Sequence, residues 1–116
     1  MSIEDLQAIC KQLKAVTEDI KWEDHLCFNV GGKMFLVTSP DSVPISASFK
    51  VSDENFDEVI SKPGFSPQRH LGRYKWVSLD DINRLSASEW EEFIYQSYGL
   101  IVSKLSGKFR KELGLF

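Results

Sequence analysis

The sequence is short of the features that mark a disulfide-rich, zinc-binding or membrane protein. Its two cysteines, Cys10 and Cys27, are too few and too far apart for a zinc site of CxxC pairs, so we expect two buried, reduced thiols. No apolar stretch approaches the roughly 18 residues of a membrane-spanning helix. The first residues include acids and no long apolar segment, unlike a secretory signal peptide. We therefore expect a cytoplasmic protein without a membrane partner.

Common catalytic motifs are also absent, since no GxSxG, P-loop, HExxH or GxGxxG pattern occurs. His25 and His70 are isolated in the sequence, and helix starts and loops explain the three groups of acidic residues more simply than a metal site. The sequence therefore predicts no enzyme, no cofactor and no bound metal. An enzyme would have Lys50, His70 and Tyr98 for proton transfer, but nothing in the sequence brings them together.

The composition is that of one globular domain over residues 1–116. Apolar residues make up 42% and charged residues 27% of the chain, and fourteen aromatic residues supply ample core material. A chain of this length buries roughly two-thirds of its unfolded surface and needs no disulfide or metal to fold. We expect a monomer.

Local patterns predict helices at both ends of the chain and antiparallel strands between them. Gly31-Gly32 between two apolar segments predicts a tight hairpin, and Ser86 with Glu89 predicts a capping box before a long helix. In residues 45–51 the apolar side chains alternate with polar ones, which places Lys50 on the polar face of a half-buried strand. Residues 17–25 are polar and are predicted to cover a sheet edge without regular structure. The predicted elements are a helix over 3–13, strands over 26–30, 34–38, 45–51 and 74–79, a short helix through 56–60, and a helix from 86 to about 105.

This order predicts an α+β two-layer sandwich. Strands joined by tight turns make an antiparallel sheet of about four or more strands, and the amphipathic N- and C-terminal helices bury their apolar stripes on one face of it.

Residues 62–79, KPGFSPQRHLGRYKWVSL, contain the most distinctive charge pattern. Residues 62–75 hold four cations and no acid in a chain of net charge −3, which leaves −7 for the remainder. The basic residues Arg69, His70, Arg73 and Lys75 are interleaved with Leu71, Tyr74 and Trp76. Cations of this kind neutralise phosphates, and aromatic rings stack on bases. A solvated loop followed by a core tryptophan is the simpler alternative.

Two functions follow from this segment. In the first, the chain binds DNA weakly and in a salt-dependent way through Arg69, Arg73 and Lys75, with Lys50 beside them on the polar sheet face. In the second, it has no catalytic activity and binds an acidic protein or a small anion, with Lys50, His70 and Trp76 lining a cleft. Tyr98 is a further candidate for the cleft lining.

Five short motifs carry a family resemblance over nearly the whole chain. They are Phe49-Lys50-Val51, Pro63-Gly64-Phe65, His70-Leu71-Gly72-Arg73, Trp76-Val77-Ser78-Leu79 and Gln96-Ser97-Tyr98. In this order and spacing the sequence resembles the bacterial MmcQ/YjbR family.

The resemblance implies a small cytoplasmic bacterial protein with a CyaY-like (frataxin-like) fold, and members of the family are often described as DNA-binding. The positions that match are Lys50, Pro63, Gly64, His70, Trp76, Ser97 and Tyr98. A frataxin-like fold would also suggest iron binding on an acid-rich first helix, but the first helix here has only Glu4 and Asp5. That departure weakens the iron alternative.

Overall fold

Six strands, four α-helices and two 3₁₀ turns make up residues 1–115, the part of the chain that the computed structural model describes. The strands are β1 (Val16–Lys21), β2 (His25–Val30), β3 (Lys33–Ser39), β4 (Ser46–Lys50), β5 (Phe65–Pro67) and β6 (Trp76–Leu79). The α-helices are α1 (Ile3–Lys11), α2 (Phe56–Ile60), α3 (Ala87–Val102) and α4 (Gly107–Glu112), and the 3₁₀ turns cover Gly72–Tyr74 and Ile82–Arg84.

All six strands form one antiparallel sheet in the order β1-β2-β3-β4-β6-β5. The helices pack on one face of this sheet, where their apolar side chains join those of the strands in one core cluster. This arrangement confirms the predicted α+β two-layer sandwich, with two strands more than the four predicted from the sequence.

The helix starts follow from local capping chemistry. Ser2 Oγ accepts a hydrogen bond from the Asp5 amide and Ser86 Oγ accepts one from the Glu89 amide, and in each case the acid bonds back to the cap. These reciprocal bonds satisfy amides that have no partner within the helix. After α3 ends, a further helix, α4, begins at Gly107, and Ser106 caps its N-terminus.

Two predictions about strands were wrong. Residues 17–25 are largely regular, because β1 pairs with β2 along its whole length. β1 is an edge strand with an exposed middle, so it lacks the apolar alternation by which a strand is detected. In the turn that follows, Trp22 and Glu23 adopt φ of 51° and 72°. Tryptophan and glutamate seldom occupy this left-handed region of backbone conformation. Likewise β5 lies inside a segment predicted to be a loop.

The hairpin between β2 and β3 is confirmed, with Gly31 and Gly32 at φ of 60° and 76°. A bulge in β3 then leaves Phe35 without a partner in β2. Phe35 and Leu36 are both fully buried, and Phe35 contacts the ring of Tyr98 in α3. The bulge therefore turns two consecutive side chains toward the helices.

The core lies between the sheet and α3. Phe49 in β4 packs against Trp90 at 5.6 Å and Phe93 at 5.0 Å between ring centroids. Trp90 is fully buried, and its indole nitrogen donates to the Ile82 carbonyl oxygen at 2.9 Å. The hydrogen bond ties α3 to the 3₁₀ turn that follows β6.

Candidate nucleic-acid interface

The sheet face opposite the helices, here called the open face, holds a buried tryptophan outside the core. Residues directly opposite each other in adjacent strands share a face, so Trp76 lies on the same side of the sheet as its partner Lys50 and across from Phe49. Trp76 is only 6% exposed, yet it does not belong to the core cluster. A cover other than the helices must therefore shield it.

That cover is the loop between β5 and β6, here called the basic loop (residues 68–75). The Gln68 amide donates to the Trp76 carbonyl oxygen, and the Gly72 amide donates to the Gln68 carbonyl oxygen. Gln68 Oε1 accepts from the amides of His70 at 2.7 Å and Leu71 at 2.6 Å. These bonds hold the loop in one conformation over the open face.

The arginines of the basic loop form no ion pair with an acid in residues 1–115. Arg69, His70 and Arg73 are exposed. Among residues 1–115, an acidic side chain lies within 4.0 Å of a basic one only for Asp24 with His25 and for Asp80 with Arg84. The Arg73 guanidinium lies 5.3 Å from the centre of the Tyr74 ring, and more than half of Tyr74 is exposed. The loop thus presents two guanidinium groups without acidic partners, and that of Arg73 lies beside an aromatic ring.

Lys75 has a different role. It adopts a positive φ of 65° at the end of the 3₁₀ turn, is half-buried, and places its ammonium group 4.8 Å from the centre of the Phe56 ring in α2. Its carbonyl oxygen accepts from the Val51 amide. Lys75 therefore anchors the loop to the helical layer more than it extends the exposed cationic surface.

Lys50 is buried at the end of β4. Its ammonium group donates to the Tyr74 carbonyl oxygen, and its backbone amide donates to Ser97 Oγ at 3.1 Å. Burial, followed by the nearby Lys104 ammonium, lowers the pKa of Lys50 below its usual value. The Lys50 ammonium is thus already bound to the loop backbone and shielded from solvent.

We expect Lys50→Met to leave nucleic-acid affinity close to that of the natural chain, because the buried ammonium does not reach a phosphate. The pKa of Lys50 is lower in the folded than in the unfolded chain, so its charge opposes folding at neutral pH and this penalty fades as pH rises toward the unfolded pKa of about 10.4. The stability of Lys50→Met relative to the natural chain should therefore be greater at pH 7 than at pH 10. Urea unfolding at both pH values measures this difference, and an unchanged difference would contradict it.

A pocket of about 590 Å³ occupies the open face beneath the basic loop. Its rim and floor combine aromatic or apolar groups with hydroxyl, amide and imidazole groups. The lining includes Trp22, His25, Met34, Val37, Ser39, Ser46, Ser48, Gln68, His70, Leu71 and Trp76. Sequence analysis found His70 and Trp76 of this set, but it missed Trp22 and the β2 and β3 residues because they meet only when the sheet forms.

Tyr98 lies on the other side of the sheet from this pocket. It belongs to α3, where its ring contacts Phe35 and its hydroxyl donates to the Lys14 carbonyl oxygen at 2.7 Å. Burial raises the pKa of its phenol. The sheet thus separates Tyr98 from His70, and the three groups considered for proton transfer are not brought together.

The two ends of the sheet carry different charge. One end, here called the basic end, contains the turn from β2 to β3, the last residue of β4 and the first residue of β6. The helix α3 ends there too, because Leu105 and Phe109, which follow it, pack beside Gly31 in that turn. The cations at this end include Lys33, Arg69, Arg73, Lys75, Lys104 and Lys108, against the acids Asp53, Glu54 and Glu112. The opposite end holds the acids Glu23, Asp24, Asp41, Asp80, Asp81 and Glu89, against the cations Lys21, Lys62 and Arg84. Sequence analysis missed Lys33 and Lys104 as part of the basic end, because the directions of the strands decide at which end of the sheet a residue lies.

Neither the thiols nor the acids form a reactive or metal-binding cluster in the described part of the chain. Burial raises the pKa of Cys10 to about 12, and burial with the nearby Asp19 raises that of Cys27. Residues 1–115 contain no group of three or more His, Cys, Asp or Glu side chains placed to hold a metal ion. Over the same residues, every helix is too short or too polar to cross a bilayer.

Comparison with known proteins finds a matching family model and similar solved structures. Residues 11–100 match the family model described as YjbR. The chain is similar to protein DR2400 of Deinococcus radiodurans, a DUF419 domain, with 28% identity and a TM-score of 0.89 over 99% of this chain and 89% of that one. A Pseudomonas syringae protein, structural genomics target PsR293, has the same fold at 20% identity and a TM-score of 0.70, over 86% and 98% of the two chains. No curated protein matches the chain.

Proposed function

The chain belongs to the YjbR family, and from this premise we propose that it is a DNA-binding module whose basic loop contacts phosphates. Membership of the family assigns the fold but not the chemistry, because one fold supports many functions. The proposal therefore rests on the charges and contacts of the loop itself.

The observation that carries the proposal is the pair of exposed arginines without acidic partners. Arg69 and Arg73 lie in a loop whose backbone is held by Gln68 and Trp76. Guanidinium groups bind phosphate oxygens through two parallel hydrogen bonds, and a preformed loop loses little entropy when it binds. Such a loop is suited to an anionic backbone.

Lys33 and Lys104, both exposed at the basic end, extend this surface. With Arg69 and Arg73 they offer about four phosphate contacts, which predicts weak and strongly salt-dependent binding. The net charge of −3 and the acids at the far end of the sheet oppose any other orientation on DNA. The basic end should therefore face the nucleic acid.

A salt titration tests the proposal. Fluorescence anisotropy of a labelled random-sequence duplex should show log affinity falling with log salt at a slope of about −3 to −4, as expected for about four phosphates on B-DNA. A single-stranded probe of the same sequence should give a shallower slope, because fewer counterions are released per contact. Absence of binding to both probes at low salt would refute the proposal.

Binding of a small anionic ligand or an acidic protein is the second candidate. The pocket beneath the basic loop favours it, since a concave site with converging polar groups is typical of ligand binding. A thermal-shift screen with nucleotides and metabolites tests it: a ligand at 100 times its dissociation constant adds about 2.7 kcal/mol to the unfolding free energy.

We also propose that the chain acts as a cytoplasmic monomer, without catalysis or a cofactor. The separation of Tyr98 from His70 and the high pKa of Cys10 support a binding role. The CyaY-like character of the fold stays a prediction, which superposition on a frataxin structure would measure.

A further inference from the structure

The phosphate contacts of the basic loop do not account for the pocket on the open face, and its composition calls for a separate explanation. Its lining contains no Lys, Arg, Asp or Glu side chain. Two indole rings, Trp22 and Trp76, lie along it, together with apolar groups such as Val37 and Leu71. Monomeric proteins seldom leave a concave apolar and aromatic surface of this size without a use.

Trp22 is held at the pocket rim by an unusual backbone. It is 64% exposed and has a φ of 51°, a conformation that is uncommon for a bulky residue. Its ring meets that of His25 edge to face at 5.8 Å between centroids. The hairpin therefore keeps a large flat surface in water beside the pocket, where neither core packing nor a helix requires it.

The polar groups of the pocket suit the edge of a neutral ring. Gln68 uses its side-chain oxygen within the loop, which leaves its amide nitrogen as a donor. His25 adds its imidazole ring to the lining, with Nδ1 buried 2.7 Å from Asp24 Oδ1. Ser39 and Ser46 add hydroxyl groups along the same wall. Flat faces with donors and acceptors around them match a heteroaromatic ring that stacks and forms hydrogen bonds at its edge.

We propose that this pocket binds a nucleobase, either an unpaired base of a nucleic acid strand or the base of a free nucleotide. The inference rests on the proposed function for the strand case, since the basic loop that roofs the pocket would hold the phosphates outside it. A volume of about 590 Å³ lies within the usual range of 300–1,000 Å³ for pockets that enclose small ligands. The base would lie between the open face and Trp22, beside Gln68 and His70 of the basic loop.

Tryptophan fluorescence of the full chain tests this inference with three probes: a single-stranded oligonucleotide, an abasic strand of equal length, and deoxyadenosine monophosphate. The base-containing strand should quench the fluorescence and bind more tightly than the abasic strand. Stacking of one base is worth a factor of about 5 to 150 in affinity. Trp22→Ala should remove most of that factor and leave affinity for the abasic strand unchanged.

Two further variants make the result specific to the pocket. Val37→Phe fills the half-buried open face and should remove base-dependent quenching while the abasic strand still binds. Tyr95→Ala removes an exposed aromatic ring from the helical layer and should change neither value. Thermal unfolding of each variant checks that the fold is kept.

The outcomes separate this inference from the proposed function. Salt-dependent binding that is equal for base-containing and abasic strands would overturn the nucleobase pocket and leave the phosphate contacts standing. No binding of any strand, with quenching by the nucleotide that Val37→Phe abolishes, would overturn DNA binding and support the pocket for a free nucleotide. No quenching by any probe would overturn the pocket.

Discussion

The Arg69→Ala/Arg73→Ala variant is expected to bind a duplex on the order of 100-fold more weakly than the natural chain at about 50 mM salt. Each arginine that neutralises a phosphate contributes about 0.9 to the slope of log affinity against log salt, so the slope should fall by about 1.8. Because the lost contribution comes from released counterions, the deficit should shrink to about 8-fold near 200 mM salt. Anisotropy titrations at several salt concentrations measure both values.

A charge-matched control makes this result specific to the basic loop. Lys21→Ala/Lys62→Ala also removes two positive charges, but these residues lie toward the end of the sheet opposite the basic end, where β1 ends and β5 begins. Long-range steering alone would weaken both double variants alike. Equal losses, or an unchanged slope in the arginine variant, would exclude Arg69 and Arg73 as phosphate contacts.

Trp90→Ala is expected to lower the free energy of unfolding by about 3–5 kcal/mol. The fully buried indole packs on Phe49 and donates to the Ile82 carbonyl oxygen, so its removal leaves both a cavity and an unpaired buried acceptor. Small domains are stable by only about 5–15 kcal/mol, so this loss is a large share of the total. Urea unfolding followed by circular dichroism measures it.

Two comparisons separate the parts of this effect. Trp90→Phe keeps most of the side-chain volume and should lower the free energy of unfolding less than Trp90→Ala does, because the phenyl ring fills part of the cavity. Tyr95→Ala, in the same helix, removes a ring that is 41% exposed and should cost about 1 kcal/mol or less. A loss at Trp90 no larger than that at Tyr95 would contradict the role of Trp90 as the link between α3 and the sheet.

The candidate site was partly predictable because several of its cations lie within a few residues of each other in the sequence. Arg69, His70 and Arg73 lie in one loop without acids, and charge of one sign over a short segment is visible without any structure. Lys50 differs, since its exposure depends on the loop that folds over it and whose Tyr74 carbonyl oxygen it binds. Burial of a single lysine depends on tertiary packing, and no local pattern reports it.

The pocket was beyond sequence analysis for a related reason. Trp22 lies more than fifty residues from Trp76, and the two line one pocket only because β1, β2, β3, β4 and β6 are neighbours in one sheet. The hairpin that carries Trp22 was predicted to be irregular, because an exposed edge strand lacks apolar alternation. Because β1 lacks apolar alternation, sequence analysis missed both this strand and the position of Trp22, which follows it.

The sequence by itself determined the features that depend on a few consecutive residues. The capping boxes at Ser2 and Ser86, the Gly31-Gly32 hairpin and the alternation in β4 are local, because each depends on hydrogen bonds or side-chain directions within one turn or strand. Only the tertiary structure decided which face of the sheet stayed open and which end became basic. Those properties depend on the pairing and direction of strands that are distant in the chain, and the free energy that selects them comes from burial shared by the whole core.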